Sequence, residues 1–297
     1  MRSLGPSLLL FGLCLASSCN KESHRAQLPA YVKIDQVDLQ TDLNTEGSAA
    51  HKITTVWVQV DGAYAGVFEL PAIFPVLASG STDIRIQAGI NENGTSATRL
   101  AYPFYEVFET QLDLTPLDTH SIQDPQGGPP SVSYRAFSEV EVLEDFDGVG
   151  LSMEKSPNAD TLLYRTNDSS HLFHWNDEPN DYSGVAYLGD RNTIFEVRTE
   201  KEFSNLPKGA PVFLEINYKS DVAFVAGMYV NSASQGTIQA VTATINPSDE
   251  WNKIYINLYS EVNGYPNVLG HKVFIGAINY EGQGEKTLFL DNIKLLY

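Results

Sequence analysis

The sequence predicts an all-β chain built as two β-sandwiches in series, over residues 31–141 and 142–297. Three observations carry that prediction. Apolar and polar residues alternate with period two in one segment after another, which is the spacing of a half-buried strand. Turn formers separate those segments: Asp61-Gly62, Asp124-Pro125 and Gly127-Gly128-Pro129-Pro130. No amphipathic helical run of convincing length interrupts them. A chain of 297 residues is long enough for two domains of ordinary size.

In chain order, Tyr31-Val32-Lys33-Ile34 opens the first strand. Val56, Val58 and Val60 alternate with Thr55, Trp57 and Gln59, and Asp61-Gly62 then returns the chain. Ile84 and Ile86 alternate with Asp83 and Arg85. Residues 107–114 continue the pattern until Thr115-Pro116 stops it. Residues 118–131 read as loop, and 134–142 as a strand closing the first sandwich. In the second half, 194–198, 212–218, 223–230, 253–259, 272–278 and 287–295 read as strands. Leu214, Ile216 and Tyr218 share one face of theirs, and Glu215 and Asn217 the other. Ile254, Ile256 and Leu258 point inward, leaving Tyr255, Asn257 and Tyr259 outward. Strands at this spacing fit a two-sheet sandwich or a jelly roll.

The N-terminus is of a different kind. Arg2, the apolar run 8–15 and Ala16-Ser17-Ser18 precede Cys19. The apolar run is too short for a bilayer, which takes roughly 20 apolar residues. The segment resembles the lipobox of bacterial lipoproteins, with Ala16 at the usual leucine position and Leu15 one residue earlier. The resemblance implies a signal peptide over 1–18, a covalent lipid on Cys19 and a polar tether over 19–30. The only other cysteine is Cys14, inside the leader, so a cleaved chain has no disulfide and no cysteine metal site. Lys21-Glu22 is similar to the export signals of surface lipoproteins in the Bacteroidota, which implies the exposed side of an outer membrane, with the lipid as the only membrane attachment.

Lys+Arg number 19 against 37 Asp+Glu, a net charge of −18. Nucleic acid is thereby excluded as a partner, because phosphate binding needs a cationic surface. Glu144-Asp145-Phe146-Asp147-Gly148, Trp251-Asn252-Lys253-Ile254-Tyr255 and Leu288-Phe289-Leu290-Asp291-Asn292-Ile293 resemble the galactose-binding-like jelly rolls, over about residues 142–297. Many carbohydrate-binding modules belong to that group. The resemblance implies a structural Ca²⁺ tying the opening segment to the last strand, with Asp145, Asp147 and Asp291 as its ligands. Val58-Gln59-Val60-Asp61-Gly62-Ala63-Tyr64-Ala65-Gly66 is similar to immunoglobulin-like β domains of the PEGA type, which implies an immunoglobulin-like sandwich over 31–141.

Catalytic motifs are missing: there is no Gly-x-Ser-x-Gly elbow, no Walker loop and no His-Glu-x-x-His helix. Glu139 and Glu141 form a carboxylate pair without the further acidic residue a glycosidase strand is expected to carry. The chain therefore reads as a non-enzymatic surface lipoprotein that binds or scaffolds other outer-membrane proteins. Its candidate contact surface is Asn91, Arg99, Tyr102, Phe104 and Tyr105, where aromatics stand beside an arginine at the end of a polar loop. The alternative is a glycan-binding lipoprotein. Trp175, Asp177 and Tyr182 in the loop 171–184, with Glu215, Asn217 and Tyr255, would then supply stacking faces and hydroxyl partners. Asp160-Thr161-Leu162 resembles a short O-glycosylation motif of the Bacteroidota, with Thr161 as acceptor.

Overall fold

Ten strands build the first sandwich in a computed structural model that describes residues 27–297. They are β1 (Ala30–Ile34), β2 (Asp38–Gln40), β3 (Thr55–Val60), β4 (Ala63–Glu69), β5 (Ala72–Val76), β6 (Gly80–Asn91), β7 (Arg99–Ala101), β8 (Val107–Leu114), β9 (Thr119–Ser121) and β10 (Ser131–Ser133). One sheet runs β4-β3-β6-β7, with β8 also on β6, and another runs β5-β1-β9. Val56, Val58, Ile84 and Ile86 from the first pack with Val32, Ile34 and Phe74 from the second. The β3–β4 hairpin turns on Asp61 (φ 47°) and Gly62 (φ 76°), both left-handed, as a two-residue turn between right-twisted strands requires.

Eleven strands follow: β11 (Val140–Glu144), β12 (Met153–Lys155), β13 (Leu163–Thr166), β14 (Ser183–Leu188), β15 (Thr193–Thr199), β16 (Phe213–Ser220), β17 (Phe224–Ser232), β18 (Gly236–Ile245), β19 (Ser248–Asn257), β20 (Val268–Asn279) and β21 (Lys286–Leu296). A six-stranded sheet runs β13-β14-β21-β16-β19 with β11 also on β21. A five-stranded sheet runs β12-β15-β20-β17-β18. Leu214, Ile216, Ile254, Ile256, Leu290 and Ile293 meet Phe195, Val197, Phe224, Met228 and Ile275 between them. The chain is thus all-β, a sandwich followed by a jelly-roll sandwich. Among the described residues the one helix is α1 (Tyr259–Asn263), and no helix is long and apolar enough to cross a membrane.

Three elements differ from the sequence reading. Residues 119–121, expected in a loop, form β9 and pair in parallel with β1, Tyr31 opposite Thr119. Residues 134–142 are not one strand. Tyr134 bridges to Tyr105, whereas Val140 and Glu141 pair with Leu296 and Leu295, so the presumed closing strand of the first half starts the six-stranded sheet of the second. Tyr259 lies on α1 rather than on the preceding strand.

Gly184 on β14 makes room for Phe146, a fully buried ring at the start of the jelly roll. A Cβ at Gly184 would lie 2.3 Å from that ring. Gly184→Ala should therefore lower the unfolding free energy by about 1–3 kcal/mol, the usual range for overpacking. A urea melt unchanged from wild type would contradict this.

Candidate functional site

The glycan-binding alternative needs Glu215, Asn217 and Tyr255 open on one face, here the outer face of the six-stranded sheet. These three residues do share that face, but all are buried. The first sandwich covers Glu215 and Tyr255. Tyr102 Oη donates to Glu215 Oε1 at 2.8 Å and Tyr134 Oη to Glu215 Oε2 at 3.1 Å. Tyr105 and Tyr255 join hydroxyls at 3.1 Å, and the Lys52 N–H donates to Tyr255 Oη at 2.9 Å. Beside them, the 92–98 loop docks on β19. The Asn93 N–H donates to the Tyr255 carbonyl at 2.8 Å, and Asn257 Nδ2 donates to Glu92 Oε1 at 2.6 Å.

The candidate partner surface is spent in the same contact. Tyr102, Phe104 and Tyr105 are buried, with Tyr102 and Phe104 edge-on to Phe213. Of the remaining two, Arg99 pairs with Glu69 at 2.7 Å and Asn91 sits near Thr54. These aromatics pack against the second half of the same chain. The expectation of an exposed patch failed because the partners that make these hydroxyls buriable, Glu215 for Tyr102 and Tyr255 for Tyr105, lie 113 and 150 residues away.

Two lysines complete the covered face. Lys253 Nζ lies 2.7 Å from Glu215 Oε2, a buried ion pair. Lys294 Nζ donates to the Ser48 carbonyl at 2.6 Å. Burial pushes the Glu215 carboxyl up, but the charges of Lys253 and Lys294 outweigh it and hold the group below the usual glutamate value. Burial and the neighbouring Lys253 push Lys294 down to about 7.

The 171–184 loop folds over the rest of the face. His171 covers Phe289, and Phe173 is edge-on to Trp251. Trp175 packs edge-on to His51 of the first half, and Tyr182 lies under the Arg165 guanidinium, 4.0 Å from it. Asp177 stays exposed. Glu178 binds back to the first sandwich, accepting from Ser48 Oγ and from the Ala49 N–H at 2.9 Å. The candidate ligand residues of this loop therefore do not gather with Glu215, Asn217 and Tyr255. Thr161 is half-buried in the turn before β13, its N–H turned to the Ile194 carbonyl.

The carboxylates named for Ca²⁺ are engaged by neutral donors. Asp291 Oδ2 accepts from Ser183 Oγ and from Asn180 Nδ2 at 3.1 Å, and Asp291 Oδ1 from the Asn292 N–H at 2.8 Å. Asp147 Oδ1 accepts from the N–H groups of Asp181 and Tyr182, and Asp145 Oδ1 from that of Asp147. Among the described residues no three His, Cys, Asp or Glu side chains converge on one point. Burial raises Asp291 to about 7. Cys19 lies outside the described residues.

An open groove of about 580 Å³ lies instead on the outer face of the five-stranded sheet. Gly276 on β20 lowers its floor, because a Cβ there would meet the Phe195 carbonyl at 3.3 Å and Glu196 at 3.4 Å. Val225, Val241 and Ile278 add apolar surface, and Tyr280, 62% exposed, stands at one end. Glu196 supplies the polar side. Its carboxylate accepts from Gln239 Nε2 at 2.6 Å and from Tyr229 Oη. Gln283 and Lys286 line the opposite margin. Next along the face, Arg198 and Lys272 share Glu154 at 2.8 and 2.9 Å, and they hold its carboxyl below the usual value, chiefly through the Lys272 hydrogen bond. The volume and the mix of apolar floor with a few convergent polar groups are those of a small-ligand site. Sequence reading missed Glu196, Gln239 and Tyr280. The signal was Gly276, a glycine in a strand interior, where something can approach the backbone closely.

The chain matches no protein-family model and no curated protein. Among solved structures it is similar to a carbohydrate-binding module from the β-sandwich superfamily, at 12% identity over 91% of this chain and 98% of that one, with a TM-score of 0.40. It is also similar to the family 11 carbohydrate-binding module of cellulase Lic26A-Cel5E from Clostridium thermocellum, at 16% identity over 52% of this chain and 93% of that one, TM-score 0.32. A third is the enzymatically active domain of tailspike protein 4 from bacteriophage CBA120, at 10% identity and TM-score 0.37, where the match takes in 51% of this chain but spans only 20% of that chain's length.

Proposed function

We propose that the chain is a lipid-anchored outer-membrane surface protein that binds a glycan, without chemistry, in the groove over Gly276. The observation that carries this reading is the groove's composition. A sugar ring offers an apolar C–H face and a rim of hydroxyls. Tyr280, Ile278 and Val241 match the face, and Glu196, Gln239 and Gln283 match the rim. The net charge of −18 favours a neutral or cationic glycan over an anionic one. The aromatic patch that pointed to a protein partner is occupied within the chain, which is why the glycan reading is preferred here to the scaffold reading.

A glycan array with the full chain tests it. At least one neutral glycan should bind. Tyr280→Ala and Gln239→Ala should each weaken that binding roughly tenfold, about 1.4 kcal/mol. Tyr164→Ala, an exposed tyrosine on the other sheet, should leave it unchanged. Full binding by the Tyr280→Ala/Gln239→Ala double variant would move the site elsewhere, and an array without any bound glycan would end the reading.

A further inference from the structure

The outer face of the β5-β1-β9 sheet is apolar where a sandwich normally meets water. Ile73, Pro75 and Leu77 alternate outward along β5 and just beyond it, with Ile73 61% and Leu77 65% exposed. Tyr31 on β1 stands between Pro75 and Thr119 in the sheet. Leu117, 62% exposed, and Leu28, 53% exposed, extend the surface at its end. Backbone and side-chain bonds hold these pieces together. The Leu117 N–H donates to the Pro29 carbonyl at 2.8 Å, and Gln27 Nε2 to the Leu77 carbonyl at 3.1 Å. Scattered exposed leucines are ordinary, but a contiguous set on one sheet face marks an interaction surface.

The chain itself indicates the occupant. Gln27 lies at the edge of this face and is eight residues from Cys19. Eight residues reach at most about 28 Å when fully extended. A lipid on Cys19 therefore keeps this face, and no distant one, close to the bilayer. We infer that Leu28, Tyr31, Ile73, Pro75, Leu77 and Leu117 form a foot that enters the bilayer interface beside the anchor. The inference rests on the lipid-anchored part of the proposed function and is independent of the glycan.

Charge fixes the mode of contact. Lys33, on the same face, is paired with Asp35 at 2.8 Å, and Asp118 adjoins Leu117. Among the described residues of this face Lys33 is already neutralised by Asp35, and the chain as a whole repels an anionic surface. The contact is apolar, so it forms on zwitterionic lipid and persists in high salt. It adds an apolar contact to the attachment that the lipid provides.

The test uses the full acylated chain in phosphatidylcholine vesicles. A polarity-sensitive dye is placed at Leu77→Cys, or at Leu269→Cys on the second sandwich as control. The Leu77 dye should shift to the blue and lose most of its emission when the lipid is brominated, in low and in high salt alike. The Leu269 dye should do neither. A Leu77 dye that reports water on vesicle-bound, acylated protein overturns the foot while the anchor stands. A dye that is shielded but not quenched by brominated lipid also overturns it, because a second protein then covers the face. Protein that neither floats with vesicles nor carries a lipid by mass removes the anchor, and the foot with it.

Discussion

Glu215→Ala should lower the free energy of unfolding by about 3–5 kcal/mol, the range for removing one partner of a buried ion pair. The carboxylate lies at the centre of the contact between the two sandwiches and is fully buried. Removing it leaves the Lys253 ammonium with no counter-charge in contact and the hydroxyls of Tyr102 and Tyr134 without acceptors. Each unsatisfied hydroxyl adds to the penalty of the unpaired charge. The loss should be tied to the pair rather than to the residue. Lys253→Met alone should also destabilise, and the Glu215→Ala/Lys253→Met double variant should lose clearly less than the two single losses combined. A double-mutant cycle with no coupling would refute the ion pair as the source. Phe213, Tyr255 and Leu296 of the second half pack in the core cluster of the first. The destabilisation should therefore appear in probes of both halves at the same urea concentration.

That contact also marks the limit of what the sequence reveals. Where partners are near in sequence or face a hydrophobic core, the alternation is decisive. Residues 107–114 form β8 with the expected bounds, and Leu214, Ile216 and Tyr218 point into the core as their spacing requires. The opposite face of the same strand misleads. Glu215 and Asn217 have the polarity of a solvent face, because period two reports which side a residue is on and not what lies over it. The cover of Glu215 comes from Tyr102 and Tyr134, 113 and 81 residues away from it. The short strand β9 was invisible for the same reason, since it exists only through pairing with β1. The groove over Gly276 was half legible. Its walls are the predicted strands 194–198 and 272–278, but its polar residues come from separate strands, and no local motif joins Glu196 to Gln239.

Two buried charges on the covered sheet should give stability a trough near pH 7. Asp291 keeps its proton up to about pH 7 in the folded chain, against the usual 3.8. Between those values the folded state binds more protons than the unfolded one, so stability falls as pH rises. The full move is worth on the order of 4 kcal/mol. Lys294 acts in the opposite sense. It gives up its proton at about 7 when folded, against the usual 10.5. Over that range the unfolded state binds more protons, so stability climbs with pH and is lost again as pH falls to 7. Other buried groups, His51 and His271 among them, are also pushed off their usual values by burial, so the raw profile mixes several limbs. Differences between variants separate them. In urea unfolding from pH 4 to pH 10, Asp291→Asn keeps an acceptor for Ser183 and removes the acid. Relative to wild type, it should gain stability steadily between pH 4 and pH 7 and then stay level. Lys294→Met should change relative to wild type only above pH 7, losing ground as pH rises toward 10. Profiles that stay parallel to wild type throughout would mean that both groups titrate alike in the folded and unfolded chains, and the burial of Asp291 and Lys294 would then have to be relieved by water in solution.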